Sequence, residues 1–262
     1  MLSLDKKLES IADQPELVSL VKKSALSLEK KGVDVNSHTA QVALCVDLSG
    51  SMAGMLAGGT VSEIIKRSVA QGITFDDDGE IDVFAFGTKA RYDGTVNAAG
   101  LEAFSNSFRH TALMGGTNYH EAVNLIVNHY KESGFEHPVY VIFVTDGDTG
   151  NKPQAEKAIK KASKYPIFFQ FVGIGREDYI PGEAQVKKPG LIGRMFGAKP
   201  KVVGSSTFEF LIKLDEMDGR HVDNAGFFAV KKPSDMSPER MFELLNGEYP
   251  EWLEEIRAKG MI

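Results

Sequence analysis

One cysteine and one tryptophan occur among 262 residues. With Cys45 alone, an internal disulfide is impossible and packing must hold the fold. Cys45 lies inside the apolar run VALCV. Burial in apolar surroundings raises a thiol's pKa, so an inert core thiol is expected rather than a nucleophile. No window approaches the ~18 consecutive apolar residues of a membrane span. The first ten residues, MLSLDKKLES, carry charges where a signal peptide needs its apolar stretch. A cytoplasmic protein is expected. A positive excess is also missing: 30 Lys and Arg stand against 36 Asp and Glu, a net charge of −6. That leaves no global footprint for nucleic acid, and no nucleic-acid partner is expected.

What is present reads as an ordinary globular chain, long enough for one large domain or two small ones. Residues 1–36 read as a helical extension. Leu4, Leu8 and Ile11 share one face, and Pro15 restarts the pattern at a first turn. Val42–Val46, Ile81–Phe86, Val139–Thr145 and Ile167–Val172 are nearly unbroken apolar runs, the mark of strands covered on both faces. Ala90–Tyr92 reads as a short edge strand and Gly226–Val230 as a last strand. Helical patterns fall between the runs: one after a capping box at Thr60 and Glu63, one over 119–130, one over 153–164 and one over Phe208–Met217. Alternating strands and helices imply an α/β domain over 37–232, with a mainly parallel central sheet and helices on both faces. Residues 233–262 read as two short helices, a tail packed on that domain. The Gly- and Pro-rich stretch 176–205 reads as an insertion. Within it, Lys187, Lys188, Arg194, Lys199 and Lys201 carry positive charge, and Leu191, Ile192, Met195 and Phe196 add apolar grip. A solvated loop is one reading, and contact of 187–201 with an anionic membrane or nucleic acid is the other.

The chemistry gathers where strands end. Ligands in such sheets collect at the carboxyl edge. Asp47 ends the first sheet strand, and Ser49 and Ser51 follow at alternate positions of an expected extended loop. Thr117 follows the turn residues Gly115 and Gly116, and Asp146 ends VYVIFVTD. Two carboxylates and three hydroxyls make an all-oxygen set, which suits Mg²⁺, Mn²⁺ or Ca²⁺. Neutral hydroxyls bind such an ion without quenching its charge, so an open position attracts an outside carboxylate.

These residues, DLSGS at 47–51, GGT at 115–117 and TDG at 145–147, resemble the metal-ion-dependent adhesion site of von Willebrand factor type A domains. FDDDGEIDVFAFGT, MGGTNYHEAV, LIKLDEMDGRHVDNAGFFAV, PGLIGRMFGAKPK and SPERMFELLNGEYPEWL resemble the bacterial TerF-like, tellurium-resistance-associated branch. The resemblance implies a three-layer Rossmann-like fold and a binding module rather than an enzyme. It implies that Ser49 and Ser51 bind the metal directly and Thr117 directly or through water. Asp47 and Asp146 would hold coordinated waters or swing onto the ion. A protein partner's Asp or Glu would complete the shell. Gly116, Asn118, His120 and Asp148 stand beside these positions as candidates for the partner face. His120 and Asp148 could instead simply be solvated, and Asn118 could brace the loop.

Other motifs lead elsewhere or nowhere. The acid run Asp76-Asp77-Asp78-Gly79 cannot be an EF-hand, because Thr74 and Ala85 stand where acids are needed. The GIG at 173–175 has Asp178 where a third dinucleotide-loop glycine would fall, so Gly173 and Gly175 read as turn residues. Two rival functions remain. One is a Mg²⁺-dependent phosphohydrolase with Asp47 as nucleophile, although Ser49 stands where such enzymes place a second acid. The other is a metal-free scaffold.

Overall fold

In the computed structural model, which describes residues 3–75, 79–183, 186–187, 201–202 and 207–262, the long apolar runs pair as one six-stranded sheet. Its strands are β1 (Gln41–Asp47), β2 (Ile81–Phe86), β3 (Ala90–Val96), β4 (Val139–Thr145), β5 (Ile167–Ile174) and β8 (Ala225–Val230). They lie in the order β3-β2-β1-β4-β5-β8. All neighbours are parallel except β2 and β3. Two-residue strands β6 (Val186–Lys187) and β7 (Lys201–Val202) pair antiparallel apart from it. Residues 184–185, 188–200 and 203–205 of the stretch 176–205, and Asp76–Asp78, lie outside the described residues.

Helices cover both faces. Towards one lie α1 (Leu4–Glu9), α2 (Pro15–Glu29), α4 (Thr60–Phe75), α5 (Leu101–Phe108), α9 (Pro238–Leu245) and α10 (Tyr249–Ala258). Towards the other lie α6 (Tyr119–Ser133), α7 (Lys152–Ala162) and α8 (Glu209–Asp215). The short α3 (Ala53–Ala57) follows the β1 loop. Every residue of β4 is buried, as double coverage requires. The N-terminal and C-terminal helices meet on the same face. Ser27 Oγ donates to the Phe242 carbonyl at 3.0 Å. Ser24 Oγ donates to Gln71 at 2.8 Å, and Gln71 Nε2 to Asn246 Oδ1 at 2.6 Å. Gln71 on α4 therefore ties the two ends of the chain together.

Four local expectations change. Gly173 lies within β5 rather than in a turn. Thr60 is the first residue of α4 rather than a cap before it; Glu63 pairs with Lys66 at 3.5 Å instead of reaching back. β3 runs on past Tyr92 to Val96, with a register shift at Val83/Phe84 that leaves Asp93 as the extra residue. Helix α5 has only Leu101 and Phe108 buried, too few apolar positions to stand out as a period.

The topology fixes where a ligand can sit. From β1 the chain moves to β2 on one side and later to β4 on the other. The carboxyl ends of β1 and β4 are thus a topological switch point, where the loops diverge and leave a crevice. Asp47 and Asp146 stand at its two lips.

Candidate metal centre

Asp47 is fully buried at the end of β1. Its Oδ1 accepts from the Ser49 amide at 2.8 Å, an Asx-type turn that starts the loop. Its Oδ2 accepts from Thr145 Oγ1 at 2.7 Å, across to β4. Burial pushes the Asp47 carboxyl up to about 6. The hydrogen bonds from Thr145 and Ser49 pull it back, and the Asp146 charge raises it further.

Ser49 keeps an extended backbone, but Ser51 does not. Gly50–Met52 is a 3₁₀ turn, so strand-like alternation fails after Ser49. The turn still brings the hydroxyls together: Ser49 Oγ and Ser51 Oγ are 3.2 Å apart. Ser51 Oγ donates to Asp146 Oδ1 at 2.8 Å, joining positions 95 residues apart. Asp146 is itself almost completely buried.

Thr117 belongs to a loop tied to both sides. The Gly115 carbonyl accepts from the Gly50 amide at 3.3 Å, and the Met114 amide donates to the Leu48 carbonyl at 2.7 Å. On the other side the Thr117 carbonyl accepts from the Gly150 amide at 2.7 Å and from Thr149 Oγ1 at 3.0 Å. Gly115 has φ +81°, and a Cβ there would meet Thr88 Oγ1 at 2.8 Å, so only glycine suits the bend. The structure thus brings all five sequence-derived positions to one crevice through their loops. Side-chain contacts join Asp47, Ser49, Ser51 and Asp146 to their neighbours. Thr117 is placed there by its backbone.

The donor set fits a small hard cation. Oxygens about 2.1 Å from an octahedral centre lie ~3.0 Å apart along each edge. The spacing from Ser49 Oγ to Ser51 Oγ, 3.2 Å, is close to that edge, and Asp146 Oδ1 holds Ser51 Oγ from behind at 2.8 Å. Among the described residues no cluster of three or more His, Cys, Asp and Glu could hold a metal. The set here has only two carboxylates, with hydroxyls for the rest.

The flanking positions differ in role. Asn118 Nδ2 donates to the Thr88 carbonyl at 3.0 Å, and the Gly116 amide donates to Thr88 Oγ1 at 2.9 Å, so both brace the loop. Asp148 pairs with Lys152 at 2.5 Å. His120 Nε2 lies 3.7 Å from Glu121 Oε1. Its Nδ1 is buried without a partner among the described residues.

Three further residues escaped sequence reasoning. Thr145 locks Asp47. Tyr119, fully buried, has its hydroxyl 3.2 Å from Thr145 Oγ1 and donates to the Gly147 carbonyl. Arg176 contacts Asp146 through Nε to its carbonyl at 3.2 Å and Nη2 to Oδ2 at 3.4 Å. Thr145 and Tyr119 carried a signal in their adjacency to Asp146 and Thr117. Arg176 carried none, being 30 residues away.

Comparison with known proteins bears on the whole arrangement. A family model described as vWA-TerF-like, "vWA found in TerF C terminus", matches residues 39–181 and 201–262. The chain is similar to the uncharacterized protein YcbR of Bacillus subtilis (strain 168), with 28% identity over 257 residues, covering 94% of this chain and 90% of that one. Among solved structures it is similar to the SpRpn10 VWA domain, with 9% identity and a TM-score of 0.50, covering 80% of this chain and 95% of that one. It is also similar to a von Willebrand factor type A protein from Catenulispora acidiphila, with 14% identity and a TM-score of 0.49, covering 79% and 42%. At 9% identity the likeness to the SpRpn10 domain speaks for the fold alone.

Proposed function

The chain belongs to the TerF-like family of von Willebrand factor A domains, and on that footing we propose that it is a metal-ion-dependent protein-binding module. Ser49, Ser51 and Thr117 hold a divalent cation, Mg²⁺ first and Mn²⁺ or Ca²⁺ as substitutes. Asp47 and Asp146 stand behind them, positioning waters on the ion. The ion keeps enough charge to dock an Asp or Glu side chain of a partner protein. The TerF name is what links this reading to a bacterial tellurium-resistance or stress-response system.

The observation that carries the reading is the pair of hydroxyls Ser49 Oγ and Ser51 Oγ, 3.2 Å apart and near octahedral-edge spacing, with Ser51 hydrogen-bonded to Asp146 Oδ1 behind it across the switch point. The same geometry favours binding over phosphoryl transfer. Asp47 is fully buried and both of its oxygens already accept hydrogen bonds, so a phosphate ester has no in-line approach to it.

The experiment is thermal unfolding with Mg²⁺ and with EDTA. At a hundredfold excess over Kd, a ligand adds about 2.7 kcal/mol, or about 5 °C for a chain of this size. Wild type should show that rise, and Asp47→Ala and Ser49→Ala should each lose it. An undiminished rise in both variants sinks the site.

A further inference from the structure

One cation already addresses the crevice, and it comes from the chain itself. Arg176 follows β5 through Gly175, whose φ is +83° and whose Cβ would strike the Met55 sulfur at 2.4 Å. The segment it sits on is bolted to β8. The Gly175 amide donates to the Val230 carbonyl at 3.3 Å, and Tyr179 exchanges two backbone hydrogen bonds with Ala229 at 2.8 and 2.9 Å. Asp178 Oδ1 accepts from the Lys231 amide at 2.8 Å. The base of the Arg176 side chain is therefore fixed, while the side chain as a whole is about half exposed, at 52%.

The two oxygens of Asp146 face different partners. Oδ1 accepts from Ser51, on the side of the hydroxyl pair. Oδ2 lies 3.4 Å from Arg176 Nη2, and Arg176 Nε holds the Asp146 carbonyl. A guanidinium is always charged and carries several donors in a rigid fork. Two of those donors are spent on Asp146; the remaining donors belong to a side chain that is half exposed.

Two consequences follow from charge alone. A fixed positive group on Asp146 offsets the carboxylate that draws a divalent cation, and repels the cation as well. The same group attracts an anion approaching that cation from solvent. We propose that Arg176 sets the balance of this site, weakening its hold on the metal and serving as a second anchor for the carboxylate that docks there. The inference rests on the metal-binding reading above and adds to it a residue outside the five oxygen positions.

The test is calorimetric titration of the full chain with MgCl₂ alone, using wild type, Arg176→Gln and Arg176→Lys. A second arm titrates each Mg²⁺-loaded protein with a blocked peptide carrying one glutamate, followed by amide NMR shifts. Arg176→Gln should bind Mg²⁺ about tenfold more tightly and the glutamyl peptide about tenfold more weakly. Arg176→Lys, which keeps the charge, should stay within about threefold of wild type for Mg²⁺. The opposite signs of the two effects separate this role from a merely structural one, which would weaken both. Unchanged or weaker Mg²⁺ binding in Arg176→Gln overturns the proposal, and so does unchanged peptide binding. No Mg²⁺ binding by any of the three proteins overturns the metal reading, and this inference with it.

Discussion

The two ends of the central sheet are closed in different ways. At the amino ends of the strands lie His38, Tyr140, Phe168, Tyr249 and Trp252, each at most 5% exposed. Their rings touch one another: Tyr140 and Tyr249 meet edge-on at 5.1 Å, and Phe168 and Trp252 centroids are 5.5 Å apart. The imidazole and the two phenol hydroxyls there find partners within the protein, while Trp252 Nε1 is buried without one among the described residues. His38 Nε2 and the Tyr249 hydroxyl are 2.8 Å apart, and the Tyr140 hydroxyl donates to the Leu245 carbonyl at 2.5 Å. Burial, and then the positive charges of Arg257, His137 and Lys7, hold His38 down to about 4, so it stays neutral. The carboxyl end instead brings together two like charges, Asp47 and Asp146, under hydroxyls and one arginine. One end is closed by its own side chains. The other holds two carboxylates in place beneath hydroxyls, open towards the crevice where the proposed cation would sit.

That contrast can be broken most sharply at the amino end. Trp252→Ala removes the largest fully packed side chain of the tail and should cost about 3–5 kcal/mol, read as a fall in denaturant midpoint. The loss should be the same in Mg²⁺ and in EDTA, because this end has no part in binding.

The next largest effect is pH-dependent. The folded His38 sits below its ordinary value of 6.5. Its stabilisation is therefore complete above pH 6.5 and is lost as the pH falls towards 4, where the unfolded chain takes up a proton that the folded one refuses. Replacing it by glutamine removes the titration. The stability gap between wild type and His38→Gln should narrow by about 2–3 kcal/mol from pH 7 to pH 4. Burial also pushes Asp47, Asp215 and Glu248 up. Those groups gain stability as pH falls, but equally in both proteins, so the difference isolates His38. A gap that stays constant with pH contradicts the assignment.

The smallest effect sharpens the comparison from the carboxyl end. Asp47→Asn keeps the shape but removes a buried charge beside Asp146. In EDTA it should raise stability by about 1 kcal/mol, while abolishing the Mg²⁺-dependent rise. A variant that gains stability as it loses ligand response marks a functional site. A simple loss in both conditions would make Asp47 structural, as the aromatic end is.

Much of this was legible in the linear order of residues. Fully apolar runs such as VYVIFVT could only be strands covered twice, because a continuous run leaves neither face for water. Their alternation with helical patterns forced a parallel sheet, and the acids at the run ends then had to lie on its carboxyl edge. Five oxygen-bearing residues were named on that basis; Asp47 ends β1 and the other four lie in the loops beside it.

Tertiary structure alone decided the rest. The strand order put β1 beside β4, so that Thr145 could lock Asp47. A 3₁₀ turn, not an extended loop, carried Ser51 to Asp146. The docking of the segment after β5 against β8 brought Arg176 to the same carboxylate. These contacts join residues 30 to 98 positions apart. Periodicity reports which side of its own element a residue faces, but carries no information about which distant element will pack beside it.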